Sequence, residues 1–152
     1  MATPIEPHSG RFDGPRHRFA VRVYYEDTDL SGIVYHANYL RWFERARSDM
    51  LRLLGIDQRA AMDQGEGVYS VADLQIRYLA PARLDDDVTI ETSALGLGAA
   101  SVRLKQCAYR GEELLADMEV RVGFISPQGR PRRQPIEWRE AFTSILADES
   151  TA

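Results

Sequence analysis

Apolar and polar positions along this chain keep two different periods. FAVRVYY, residues 19–25, alternates strictly, with Phe19, Val21 and Val23 on one side, which predicts a half-buried strand. Past residue 38 the spacing lengthens to three and four: Tyr39, Trp42, Phe43, Ala46, Met50, Leu53 and Leu54 form one wide stripe, the mark of a buried amphipathic helix. Asn38 or His36 stands where an amino-terminal cap is wanted, and Gly55 follows the last apolar position as a helix-ending glycine does.

Alternation then returns four times: in DLQIRYL (Leu74, Ile76, Tyr78), in VTIETSA (Val88, Ile90, Thr92, Ala94), in SVRLKQCA (Val102, Leu104, Ala108) and in LLADMEVRVGFI. The last carries Leu114, Ala116, Met118, Val120, Val122 and Phe124 against a polar opposite face. Glycine-, proline- and aspartate-rich turns separate these runs, including GLG at 96–98, and connections that short require antiparallel pairing. A short terminal helix is predicted from Pro135 through Trp138, Phe142 and Ile145.

One apolar helix and one sheet with an apolar face must cover each other. The expectation is therefore an α+β domain over residues 18–146, in which about five antiparallel strands curl around one long central helix. Residues 1–17, rich in Pro, Gly, His and Arg, read as a loose tail, and residues 147–152 as a second tail. Composition narrows the function classes. A net charge of -4 gives no basis for nucleic-acid binding, and the lack of an eighteen-residue apolar run argues against a membrane span. Cys107 is the only cysteine, which fits a reducing compartment, so a cytoplasmic location is expected.

The candidate chemistry lies in the loop between the first strand and the long helix, YYEDTDLSGIVYHAN. Asp27, Asp29, Ser31 and Gly32 match the first half of a calcium loop, but the twelfth position is Asn38 where a bidentate Glu is required, and a strand precedes the loop where a helix should. No transition-metal ligand spacing is present either. Asp27 reads as a turn or ion-pair residue. Asp29 and His36 lead into the helix amino terminus, where free backbone N–H groups stabilise a developing oxyanion; carboxylate, imidazole and oxyanion donors together suit acyl transfer.

VRVYYEDTDLSGIVYHANYLRWFERARSDML, with YLAPARLDDDVTIET as a second stretch, resembles the 4-hydroxybenzoyl-CoA thioesterase family, in particular its YbgC-like, Tol-Pal-associated branch. That resemblance implies a hotdog fold and hydrolysis of acyl-CoA without metal or redox cofactor, with acyl carrier protein as the alternative carrier. It places the catalytic carboxylate on Asp29, the loop histidine on His36, and a carbonyl-polarising N–H at the same position. Gly32, Tyr35, Ala37 and Asn38, which flank these residues, are the expected substrate-contacting positions. In this family the reaction site lies between subunits, so a homodimer or homotetramer is expected.

Other residues give weaker signals. Tyr35, Tyr39 and Trp42 line either an acyl pocket or the core. Glu44 is expected to pair with Arg41 and Arg47 on the helix surface. Arg130, Arg132 and Arg133 meet either solvent or phosphate. Two rival readings stay open: a hotdog dehydratase acting on acyl thioesters, and a non-catalytic adaptor for acyl carrier protein or an envelope-assembly partner.

Overall fold

A computed structural model describes residues 2–147; all but the first residue of the expected tail at 147–152 lies outside the described residues. The elements run β1 (Arg11–Asp13), β2 (Arg16–Arg22), a single 3-10 turn (Tyr25–Asp27), α1 (Asn38–Leu53), α2 (Gln58–Asp63), β3 (Val68–Tyr78), β4 (Asp87–Leu97), β5 (Ser101–Arg110), β6 (Glu113–Ile125) and α3 (Ile136–Thr143). The six strands make one antiparallel sheet in the order β1-β2-β4-β5-β6-β3, and α1 packs across it. This is the hotdog arrangement, with one strand more than expected.

The extra strand comes from the segment read as a loose tail. Arg11–Asp13 folds back on Arg16–Arg18, turning at Gly14 with φ +61°, and His17 is fully buried. Composition misled here because the interaction that orders the segment is remote. The Asp49 carboxylate on α1 accepts hydrogen bonds from Ser9 Oγ (2.8 Å), Gly10 N–H (2.9 Å) and His17 Nε2 (2.7 Å).

Helix α1 is sixteen residues and buries the predicted stripe with one exchange. Trp42, Phe43, Ala46 and Met50 are buried against Ile90, Ala94, Leu104 and Met118 of the sheet. Each large side chain so covered contributes roughly 1.5–3 kcal/mol. Leu53, placed in the stripe by its spacing, is exposed, and Leu51 is buried in its stead. Leu51 is claimed by the helix end. Gly55, at φ +81°, lets Ile56 N–H reach Leu51 C=O (2.9 Å) while its own N–H reaches Arg52 C=O (3.1 Å), a Schellman closure that seats Ile56 in the core. The amino-terminal cap was misassigned: Ala37 holds that position and makes no side-chain cap.

In β4 the inward side is Val88, Ile90, Thr92 and Ala94, as the alternation requires. A register shift opposite Ala108 and Tyr109 turns Leu115 inward in β6 where Leu114 was expected. GLG closes the β4-β5 hairpin, with Gly98 N–H on Ser101 C=O at 2.8 Å. Strand β3 pairs only with β6, and its apolar residues Val71, Leu74 and Tyr78 stay more than a third exposed at the sheet edge. None of the described helices is long and apolar enough to cross a membrane.

Candidate active site

The loop between β2 and α1 is a small hairpin of its own. Thr28 bridges Val34, Asp29 N–H reaches Ile33 C=O (2.9 Å), and Gly32 N–H returns to Asp29 C=O (3.0 Å), so Asp29 to Gly32 form its tip. Gly32 sits at φ +80°, a conformation that favours glycine at such a turn. Val34 N–H on Ala82 C=O (2.9 Å) and the bridge from Ile33 to Arg83 dock this hairpin on the segment after β3.

Two aspartates separated by one residue do opposite work. Asp27 is buried. Its Oδ2 accepts the Tyr24 N–H (2.8 Å), its Oδ1 accepts the Asn38 carboxamide (2.7 Å), and its carbonyl accepts the Tyr35 N–H (2.8 Å). It therefore joins the loop to the first residue of α1, with no ion-pair partner among the described residues. Asp29 is exposed. Its Oδ1 accepts both the N–H (2.8 Å) and the hydroxyl of Ser31, while its Oδ2 accepts nothing from the described residues. The Ser31 hydroxyl first, then the Ser31 and Ile33 backbone and the His36 charge, hold this carboxyl below its ordinary range, so it is an anion throughout the neutral region.

His36 is exposed beside Tyr35, ring centres 4.5 Å apart, with Tyr78 edge-on at 6.1 Å. The Tyr78 hydroxyl donates to the His36 carbonyl (2.7 Å), which fixes the backbone where the helix begins. Asn38 N–H is used by Tyr35 C=O (2.8 Å), whereas the N–H groups of His36 and Ala37 have no acceptor among the described residues. Unpaired amides of this kind are usual at the first turn of a helix.

The candidates thus divide. Asp29, Gly32, Tyr35 and His36 are exposed along one loop and Ala37 is half-buried, whereas the Asn38 side chain is committed to Asp27. Tyr39 and Trp42 are buried, and the Tyr39 hydroxyl accepts the Ala82 N–H (3.1 Å); burial pushes this phenol above its ordinary pKa. They belong to the core. Glu44 makes no ion pair among the described residues, because Arg47 turns inward to Gln106 and Arg41 stays exposed. Arg132 holds the Gly65 and Glu66 carbonyls, a loop clamp. Sequence reasoning missed Ser31 as the partner of Asp29, though a Ser two residues after an Asp is a local turn signal. It also missed the role of Tyr78, for which forty-two residues of separation left no local trace. Among the described residues no group of three His, Cys, Asp or Glu side chains could hold a metal ion.

Comparison with known proteins places this geometry in context. The thioesterase superfamily matches residues 31–116, a span that holds His36 and the helix start and begins just after Asp29. The acyl-CoA thioesterase YbgC of Haemophilus influenzae is 38% identical over 125 residues, 82% of this chain and 92% of that protein. The acyl-CoA thioester hydrolase YbgC of Escherichia coli O6:H1 is 41% identical over 120 residues, 78% of this chain and 89% of that one. A probable thioesterase from Bartonella henselae superposes with a TM-score of 0.76 at 37% identity, covering 79% of this chain and 99% of the other.

Proposed function

The chain belongs to the thioesterase superfamily, among its YbgC-type acyl-CoA thioesterases, and we propose that it hydrolyses acyl-CoA at the loop carrying Asp29. The observation that carries this reading is the division of labour within one carboxylate. Ser31 tethers Oδ1 and aims the group, and Oδ2 is left free at the open side of the loop. The thioester carbonyl would accept the N–H groups of His36 and Ala37 at the positive end of α1. Oδ2 would then take a proton from water as the water oxygen bonds to the carbonyl carbon; the C–S bond breaks and the thiolate leaves with a proton. Direct attack by Oδ2, giving a mixed anhydride, is the other course open to the same atom. Single turnover in oxygen-18 water followed by mass measurement of the protein tests the second course: label in Asp29 requires a mixed anhydride opened by water at its aspartyl carbonyl. His36 orients the water or protonates the leaving thiolate.

This loop is open on one side in the single chain, and β3 has a free edge with exposed Val71, Leu74 and Tyr78. Unpaired apolar edges invite pairing. A homodimer joined through β3, which would bring a second copy toward the loop, is the assembly we propose. The deciding experiment is thiol release from short, long and aromatic acyl-CoA by the wild type and Asp29→Asn. Hydrolysis by the wild type and its loss in the variant support the reading; equal rates in both would place the chemistry elsewhere.

A further inference from the structure

Away from the reaction loop, a cavity of about 270 Å³ opens between α1 and the sheet. Cores pack without voids much larger than a water molecule, so a space for roughly nine water-sized groups, at ~30 Å³ each, invites an occupant. Its floor is apolar: Leu51, Leu104, Val122 and Phe142 face it, with Tyr69 and Val71 of the free-edged strand at one side. Arg47 reaches into it from α1, half-buried.

The setting of that arginine is unusual. Its Nη1 donates to Gln106 Oε1 (3.0 Å), and Gln106, fully buried, is locked by its own donations to Phe43 C=O (2.9 Å) and Thr92 Oγ1 (3.0 Å). The guanidinium is therefore held by a neutral amide on one nitrogen, and no carboxylate lies within ion-pairing distance among the described residues. Burial pulls its pKa below the ordinary arginine value, and Glu44, exposed at the mouth, opposes this only through its field. A partly buried arginine with free donors is geometrically suited to grip a carboxylate with two parallel bonds.

We propose that this cavity receives the acyl body of the substrate and that Arg47, aimed by Gln106, selects acyl groups ending in a carboxylate. The inference rests on the thioesterase reading and adds the substrate class. An apolar chain of medium length fits the floor, and its anionic end meets Arg47, the one cation lining the cavity among the described residues. Arg47 stands ten residues along α1 from Ala37, about 15 Å at 1.5 Å per residue, a separation to be spanned by the acyl chain together with the arginine's own side chain.

The test compares kcat/KM for decanoyl-CoA and for the acyl-CoA of the same length that ends in a carboxylate. Wild type should use the carboxylate-ended substrate at least as well. Arg47→Met should lower its kcat/KM by about tenfold more than that of decanoyl-CoA, and Arg47→Lys should recover part of the loss. Glu44→Gln should raise the preference by about twofold, because it removes a competing charge from the mouth. A wild type that favours decanoyl-CoA by more than about tenfold, or an Arg47→Met variant that lowers both substrates alike, overturns the proposal.

A second readout does not need turnover. Trp138 packs on Tyr69, ring centres 5.5 Å apart, so its fluorescence reports on the cavity wall. Titration with the free ten-carbon diacid should quench it saturably in wild type, and decanoate should do so more weakly. If no thiol were released from any acyl-CoA, the hydrolytic reading would fail, and the titration would still decide the role of Arg47: no saturable diacid binding by the wild type, or undiminished binding by a folded Arg47→Lys and Arg47→Met pair, rejects it.

Discussion

Aspartate, histidine and serine meet twice in this chain, with opposite results. On the inner side of the amino-terminal hairpin, Asp49 takes Ser9 on one oxygen and Gly10 and His17 on the other, so both oxygens are engaged, and His17 is fully buried. In the candidate loop, the Asp29 carboxylate is hydrogen-bonded only by Ser31, on one oxygen, and stands open to solvent with His36 nearby. The same residue types make a clamp in one place and a candidate reaction centre in the other. What separates them is spare hydrogen-bonding capacity at an accessible atom; identity alone would have rated the tighter cluster as the catalytic one.

The contrast is sharpest under mutation. Asp29→Asn keeps the shape and removes the basic oxygen, so kcat should fall by about 10²–10⁴-fold with the melting temperature unmoved, read by thiol release and thermal denaturation. Asp49→Ala should do the reverse. It strands His17 and the Ser9–Gly10 segment, at roughly 2–3 kcal/mol in denaturant unfolding, while the folded fraction keeps its kcat. If Asp49→Ala cost activity and Asp29→Asn cost stability, the assignment of the two clusters would be inverted.

His36→Ala should lower kcat by about tenfold, less than the Asp29 change, because an orienting or proton-donating group is partly replaced by water.

Acid should also tell the clusters apart. Burial depresses the His17 pKa despite its hydrogen bond to Asp49, so the unfolded chain binds that proton more readily than the folded one. The stability this gives is present above the ordinary histidine pKa of about 6.5 and is lost as pH falls below it. Burial pushes Asp49 up, but its hydrogen bonds from His17, Ser9 and Gly10 outweigh that and leave it lowered, adding a further loss below about pH 4. Melting temperature should therefore fall from pH 8 to pH 5, and His17→Gln should flatten that slope. Asp29, held low by Ser31, should give no acid limb in kcat over the same range. The smallest expected effect is that of Ser31→Ala, which should move the acid limb of kcat upward by less than about one pH unit.

How much of this was legible in the sequence follows the range of the interactions. The strands β2, β4, β5 and β6 and the helix α1 are set by periodicity within a few residues, and their inward faces could be read directly apart from the shift at Leu114 and Leu115 and the last turn of α1. The placement of Asp29 and His36 ahead of the helix was legible for the same reason. Illegible were the features made by distant partners: the hairpin secured by Asp49, the inward turn of Arg47 toward Gln106, and the helix end that exchanges Leu53 for Leu51. The six-residue helix α2 escaped because it is too short to show a period, although Asp57 caps it by accepting the Ala60 N–H at 3.0 Å.

The bond from Tyr78 to the His36 carbonyl spans two regions that assembly and chemistry would use separately. Tyr78 closes the strand whose outer rim is unsatisfied, and His36 carries one of the two amides proposed to receive the thioester carbonyl. A ligand of any kind settling on that rim would pull on the loop through this phenolic oxygen. Turnover per chain should then vary with protein dilution, and a phenylalanine at residue 78 would uncouple the two.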